Sequence, residues 1–179
     1  PAFLDIIEAR INDLAKQTSD GGPALLVGAP WRDTGHLYNS ALLLDGGKIA
    51  VIRHKHRLPN YGVFDEKRIF TAADLPEPVP FRGVNLGVMI CEDMWDPAVA
   101  GALAEKGADM LVVLNGSPFE MDKKHARLDY ASARVNETGL GLIYVNQVGG
   151  QDELVFDGDS FIMAASGALA ARLPSWETS

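Results

Sequence analysis

The sequence predicts an α/β layered fold in which helices cover a mixed β-sheet. From Val84 onward, short apolar runs alternate with segments of helical composition in the order strand, helix, strand, helix, strand, the pattern of a sheet built with crossover helices. Upstream, two apolar runs flank Asp45-Gly46-Gly47, and Asp-Gly is a strong hairpin signal because both residues tolerate positive φ. The hairpin adds antiparallel strands, so the sheet is expected to be mixed.

Each element has a local cause. Phe3, Leu4, Ile7, Ile11, Leu14 and Ala15 recur at spacings of three and four. Residues 2–17 therefore read as an amphipathic helix, closed by polar Thr18-Ser19-Asp20-Gly21-Gly22. Ala24–Gly28 is a short apolar strand bounded by Pro23 and Pro30, with a loop over 31–35. Tyr38–Leu44 and Lys48–Arg53 form the hairpin arms. From His54 to Pro80 the chain is rich in Pro, Gly and charge without a sustained period, which reads as a long functional loop. Val84–Ile90, Met110–Leu114, Leu142–Asn146 and Ser160–Ala164 are strands. Pro97–Lys106 and about 121–137 are helices, the second closed by Gly139 at its C-cap.

A length of 179 residues suits one domain around a single core. Sixteen basic and 24 acidic residues give a net charge of −8, and the densest cationic run is only Arg53-His54-Lys55-His56-Arg57. Nucleic acid and anionic membrane are therefore poor partners, and neither is expected. The longest apolar runs are strand-sized, well short of the roughly 18 residues a spanning helix needs, and no secretory signal is read. One cysteine cannot form an internal disulfide, so a cytoplasmic location is expected.

That cysteine, Cys91, lies in "GVMICEDMWDP" (87–97), at the carboxyl end of an expected strand, the edge where α/β sheets bind ligands. A lone cysteine beside apolar residues is more often a small buried hydrophobe than a nucleophile, and position alone leaves both readings open. Lys55, in the long loop, would favour a thiolate or an oxyanion if it approached the thiol; taken singly it reads as a solvated charge. Ser117, after the next strand, and Lys123, near the next helix start, suit a polar or carboxylate ligand, or an ordinary turn and surface charge. His54, His56 and His125 lack a convincing ligand set, so no metal is expected. No Gly-x-Ser-x-Gly elbow, P-loop or dinucleotide fingerprint occurs.

Four segments together resemble a known family: "KHRLPNYGVFDEKRIF" (55–70), "GVMICEDMWDP" (87–97), "LNGSPFEMDKKHARLDYASARVNETGL" (114–140) and "YVNQVGGQDELVFDGDSF" (144–161). The chain resembles the nitrilase superfamily of carbon-nitrogen hydrolases and, within it, the glutamine amidase domains of glutamine-dependent NAD+ synthetases. Lys-x-x-Leu-Pro-x-Tyr followed by Cys-Glu-Asp is far more specific than either piece, and "LPNYGVFDE" points to the synthetase branch. The resemblance implies a four-layer α-β-β-α sandwich with mixed sheets, incomplete at the N-terminus, and assembly into homo-oligomers. It also implies a Glu-Lys-Cys triad, in which Lys55 matches the lysine that supports the tetrahedral intermediate and Cys91 the nucleophile. Tyr61, Ser117 and Lys123 match positions that hold the substrate L-glutamine. Glu66 resembles a second, positioning glutamate, and Glu92 would contribute a backbone N–H to the oxyanion hole.

The triad glutamate is expected to precede Pro1; Glu8 sits in no matching motif. No Ser-Gly-Gly-x-Asp-Ser loop occurs, so ATP, Mg and deamido-NAD+ are expected to bind a synthetase domain outside these residues, and no cofactor within them. Residues 1–179 thus read as a partial amidase domain, expected to be inactive without its general base. In the full-length enzyme it would hydrolyse glutamine through a cysteine thioester and release ammonia to the synthetase domain of the same chain for ATP-dependent amidation of deamido-NAD+ to NAD+. The alternatives are a free-standing amidase or nitrilase acting on another small amide, and a non-catalytic binding module.

Overall fold

Helix α1 (Ala2–Lys16) begins the computed structural model, which describes residues 2–121 and 123–178. The chain divides into two units, Pro1–Pro76 and Glu77–Ser179. In the first, the α1 stripe of Ile7, Ile11, Leu14 and Ala15 packs on Ala29, Leu42 and Leu44. Those residues belong to the sheet β1 (Leu25–Asp33), β2 (His36–Asp45) and β3 (Lys48–His54), paired antiparallel in that order. Phe3, part of the expected stripe, is exposed instead. Glu8, at the helix surface, accepts from Arg32 Nε at 2.7 Å.

Two details depart from the sequence reading. Strand β1 continues through Pro30 to Asp33, with Pro30 opposite Asn39. It is an edge strand, where proline is tolerated because its nitrogen can face away from the partner. The hairpin turn is Gly46-Gly47, at φ 59° and 82°, with Asp45 paired to Lys48, the two-residue turn that demands positive φ at both positions. This sheet is wholly antiparallel and distinct from that of the second unit. The expectation that the hairpin mixes the parallel sheet is therefore corrected: after β3 the chain leaves the ladder as a loop. Backbone bonds from Thr71 N–H to Leu37 O (2.8 Å) and from Ala73 N–H to Lys55 O (3.0 Å) return that loop to the first unit.

The second unit runs β4 (Val79–Phe81), β5 (Val84–Ile90), α2 (Pro97–Glu105), β6 (Met110–Asn115), α3 (Lys123–Thr138), β7 (Leu142–Asn146), β8 (Val148–Gln151), β9 (Leu154–Asp157), β10 (Phe161–Met163) and β11 (Leu169–Arg172). Its six-stranded sheet has the order β11-β10-β7-β6-β5-β4. Strands β5, β6 and β7 are parallel, joined by the two crossover helices, while β4, β10 and β11 flank them antiparallel. The mixed character comes from these flanks. Met89, Leu103, Leu111, Val113, Val135 and Leu142 form the buried seam between helices and sheet. Gly139, at φ 70°, closes α3 with its N–H on Val135 O at 2.8 Å, as its position predicts. The sequence reading missed β4, β11 and the β8–β9 ribbon, all four residues or shorter; such lengths carry too little periodicity to register. No described helix is long and apolar enough to cross a membrane.

Candidate active site

The register of the parallel strands places the candidate residues of the second unit on one edge. Ile90 lies opposite Leu114, Leu114 opposite Val145, and Asn115 opposite Asn146. Cys91, the Asn115-Gly116-Ser117 turn and Asn146 therefore all leave the sheet at its carboxyl edge, where α/β folds bind ligands.

Cys91 is half-buried and sits at φ 47°, a left-handed conformation that residues with a Cβ rarely adopt and that costs on the order of 1–3 kcal/mol. It turns β5 directly into a 3₁₀ turn, Cys91–Trp95. Side-chain hydrogen bonds hold that turn and the start of the helix after it. The fully buried Asp93 accepts the Ile90 N–H through Oδ2 at 3.1 Å. Arg134 Nη1 donates to Met94 O at 3.1 Å and Trp95 O at 3.3 Å. Asp96 caps α2 by accepting the Ala98 N–H at 2.9 Å, with Pro97 in the first helical turn. Two of the three acids after the cysteine are thus backbone acceptors. The other, Glu92, is the second residue of the turn and half-buried.

Ser117 is only 2% exposed and is held on every side. Its N–H donates to Asn146 Oδ1 at 2.9 Å. Its carbonyl accepts from Arg127 Nη2 at 2.8 Å and Asn146 Nδ2 at 3.3 Å. Its hydroxyl accepts from Arg127 Nε at 3.4 Å. Arg127 and Asp157, each about 1% exposed, form an ion pair at 2.8 Å, which satisfies a charge that would otherwise be costly to bury. Burial pushes the Tyr144 phenol above its ordinary pKa; Arg127 opposes the shift and Cys91 reinforces it. The Tyr144 ring stacks on Phe161 at 4.8 Å. Lys123, at the start of α3, pairs with Glu120 at 2.7 Å.

In the first unit, Lys55 directly follows β3 and is 1% exposed. Its Nζ donates to both Glu66 oxygens, at 2.7 and 2.9 Å, and its own N–H is tied to Asn39 O at 2.8 Å. A buried ammonium needs such a partner, and Glu66 supplies it. Tyr61 is 57% exposed, with its ring edge-on to Phe64 at 5.9 Å. His54 lies 2.8 Å from Ser40 Oγ and 3.2 Å from Asp33 Oδ2, stacked on Tyr38; Ser40 is fully buried, so this chain is structural. His56 donates to Ala73 O at 2.6 Å.

The structure therefore joins Lys55 to Glu66 in one unit, and Ser117 with the neighbourhood of Cys91 in the other. A thiol on a strained turn at the ligand-binding edge has the placement a nucleophile requires. Sequence reading missed Asp93, Arg127, Tyr144, Asn146 and Asp157. Arg127 and Asp157 each stand in an otherwise unremarkable charged or apolar context, and only their separation in space, not in sequence, reveals a pair.

The carbon-nitrogen hydrolase profile matches residues 7–179. The chain is 46% identical over 177 residues to a glutamine-dependent NAD(+) synthetase of Rhodobacter capsulatus, a match covering 99% of this chain and 32% of that protein. It is 35% identical to the corresponding protein of Aquifex aeolicus, covering 99% and 31%. The chain therefore spans about a third of the length of these curated relatives. Among solved structures, a glutamine-dependent NAD+ synthetase from Acinetobacter baumannii bound to ADP superposes with a TM-score of 0.91 at 35% identity, covering 98% of this chain and 33% of that one. A mutant amidase from a Nesterenkonia species, with acrylamide added at its active site cysteine, superposes at 0.76 with 26% identity, covering 96% and 65%. With a nitrilase-type α/β fold, mixed sheets and a family profile that matches nearly end to end, the chain belongs to the carbon-nitrogen hydrolase family.

Proposed function

We propose that this chain is the glutamine amidase part of a glutamine-dependent NAD+ synthetase. The observation that carries the reading is Cys91 on its strained turn at the carboxyl edge of β5, in a chain 46% identical to a synthetase of that name. In the proposed reaction Cys91 Sγ attacks the side-chain amide carbon of L-glutamine. Collapse of the tetrahedral intermediate breaks the C–N bond, ammonia leaves with the proton it acquires, and a thioester remains. Water then hydrolyses the thioester to glutamate and restores the thiol.

Lys55 is assigned to support the tetrahedral intermediate, and the Glu66 carboxylate, 2.7 Å from its Nζ, holds that ammonium in place. The Glu92 N–H is assigned to the oxyanion; Tyr61, Ser117 and Lys123 are assigned to hold glutamine. Because Ser117 is buried and its polar groups are engaged, it acts by shaping the site wall more than by reaching for substrate. The ammonia feeds the amidation of deamido-NAD+ to NAD+, for which ATP and Mg bind a synthetase domain of the same polypeptide.

The test uses the full-length protein with Cys91→Ala. Glutamine-driven NAD+ formation is expected to fall by more than about 10³-fold, as for loss of a nucleophile, while ammonium-driven formation persists. Retention of glutamine-driven synthesis by the variant would sink the reading. A free-standing amidase, the alternative suggested by the Nesterenkonia superposition, predicts amide hydrolysis with no NAD+ formed from either nitrogen source.

A further inference from the structure

We propose that α3 is a two-point positioning element of this site: Arg134 fixes the turn that carries Cys91, Arg127 fixes the loop that carries Ser117, and the two govern separable properties, thiol reactivity and substrate affinity. The inference rests on the amidase reading above.

The two arginines are seven residues apart, two helical turns, and so share a face of α3. Both are buried. Each meets one carboxylate and two backbone carbonyls, those of Arg134 at the end of the 3₁₀ turn and those of Arg127 in the loop after β6. Arg134 meets Glu137 through Nε at 2.8 Å and Nη2 at 2.7 Å, and meets Met94 O and Trp95 O through Nη1. Arg127 meets Asp157 through Nη1, and Ser117 O and Pro118 O through Nη2 at 2.8 and 3.1 Å. Buried carbonyls in irregular segments must find donors, and a guanidinium offers five in a rigid plane where an ammonium offers a point charge. These bonds of the two clamps share no carbonyl and no carboxylate. Arg134 therefore acts on the left-handed turn at Cys91, and Arg127 on the Ser117 wall. Lys123 lies one helical turn before Arg127, so a loop released from Arg127 also loses its register with that lysine.

The experiment uses the full-length protein with Arg127→Lys and Arg134→Lys, which keep charge and lose the fork. Arg127→Met with Asp157→Leu removes both charges of the buried pair and so avoids an uncompensated buried ion, and Arg134→Met with Glu137→Gln removes the second pair. Steady-state glutamine hydrolysis gives kcat and KM, and the rate of Cys91 alkylation by iodoacetamide against pH reports the thiol without substrate. Arg127 variants are expected to raise KM about tenfold or more and leave the alkylation profile in place; Arg134 variants should lower kcat by about 10- to 100-fold and displace that profile, with KM little changed. A common loss of both properties in all variants, or no change in either, overturns the proposal. Cys91→Ala separates the two levels: if it still hydrolyses glutamine the amidase reading fails, whereas if it is dead and the split is absent only the positioning role fails.

Discussion

Two of the acids that follow Cys91 are acceptors for backbone N–H groups: Asp93 accepts a backbone N–H of the turn and Asp96 accepts one of α2. Tyr144 yields a prediction with a definite sign. Its folded-state pKa is raised, chiefly by burial, above the ordinary value of 10.0, so the native state holds the phenolic proton more tightly than the unfolded chain does. That contribution is complete below pH 10 and is lost as pH climbs toward the folded value, at up to about 1.4 kcal/mol per pH unit. Denaturant titrations are expected to show this alkaline loss in the wild type and a shallower slope in Tyr144→Phe above pH 10. Equal slopes would mean that the phenol does not titrate with unfolding.

At the scale of elements, the approach of β5 to β6 just upstream of the cysteine depends on Gly87. A Cβ there would stand 2.8 Å from Leu111 Cδ2 and 3.2 Å from Met110 O, and the second atom is backbone that cannot swing aside. Gly87→Ala is expected to cost about 1–3 kcal/mol, the range for overpacking, and to slow Cys91 alkylation because the turn rides on β5. Chemical denaturation and thiol labelling on one sample check both. Strands β5 and β7 were legible to the residue because apolar runs between clear breakers leave little choice of boundary. Strand β1 was cut short in the reading because Pro30 looks like a terminator until its place at a sheet edge is known. The hairpin was legible, but its sheet was not: pairing partners beyond a tight turn are set by long-range packing.

For the whole chain, a net charge of −8 without a basic block predicts no retention on heparin at physiological salt, since phosphate- and sulfate-like polymers are bound mainly by clustered Lys and Arg. Retention would reveal a local cationic field that the overall balance hides. The sequence by itself determined the principal helices and strands of the α/β pattern and the candidate residues Lys55, Cys91, Ser117 and Lys123, because periodicity, turn chemistry and motif spacing are local properties of the chain. Only the tertiary structure decided that Glu66 neutralises Lys55, that Asp157 meets Arg127 across 30 residues, that Tyr144 joins the neighbourhood of Cys91 and Ser117, and that Cys91 itself is left-handed. These features arise from strand register and buried-charge pairing, and neither is written in any short window of sequence.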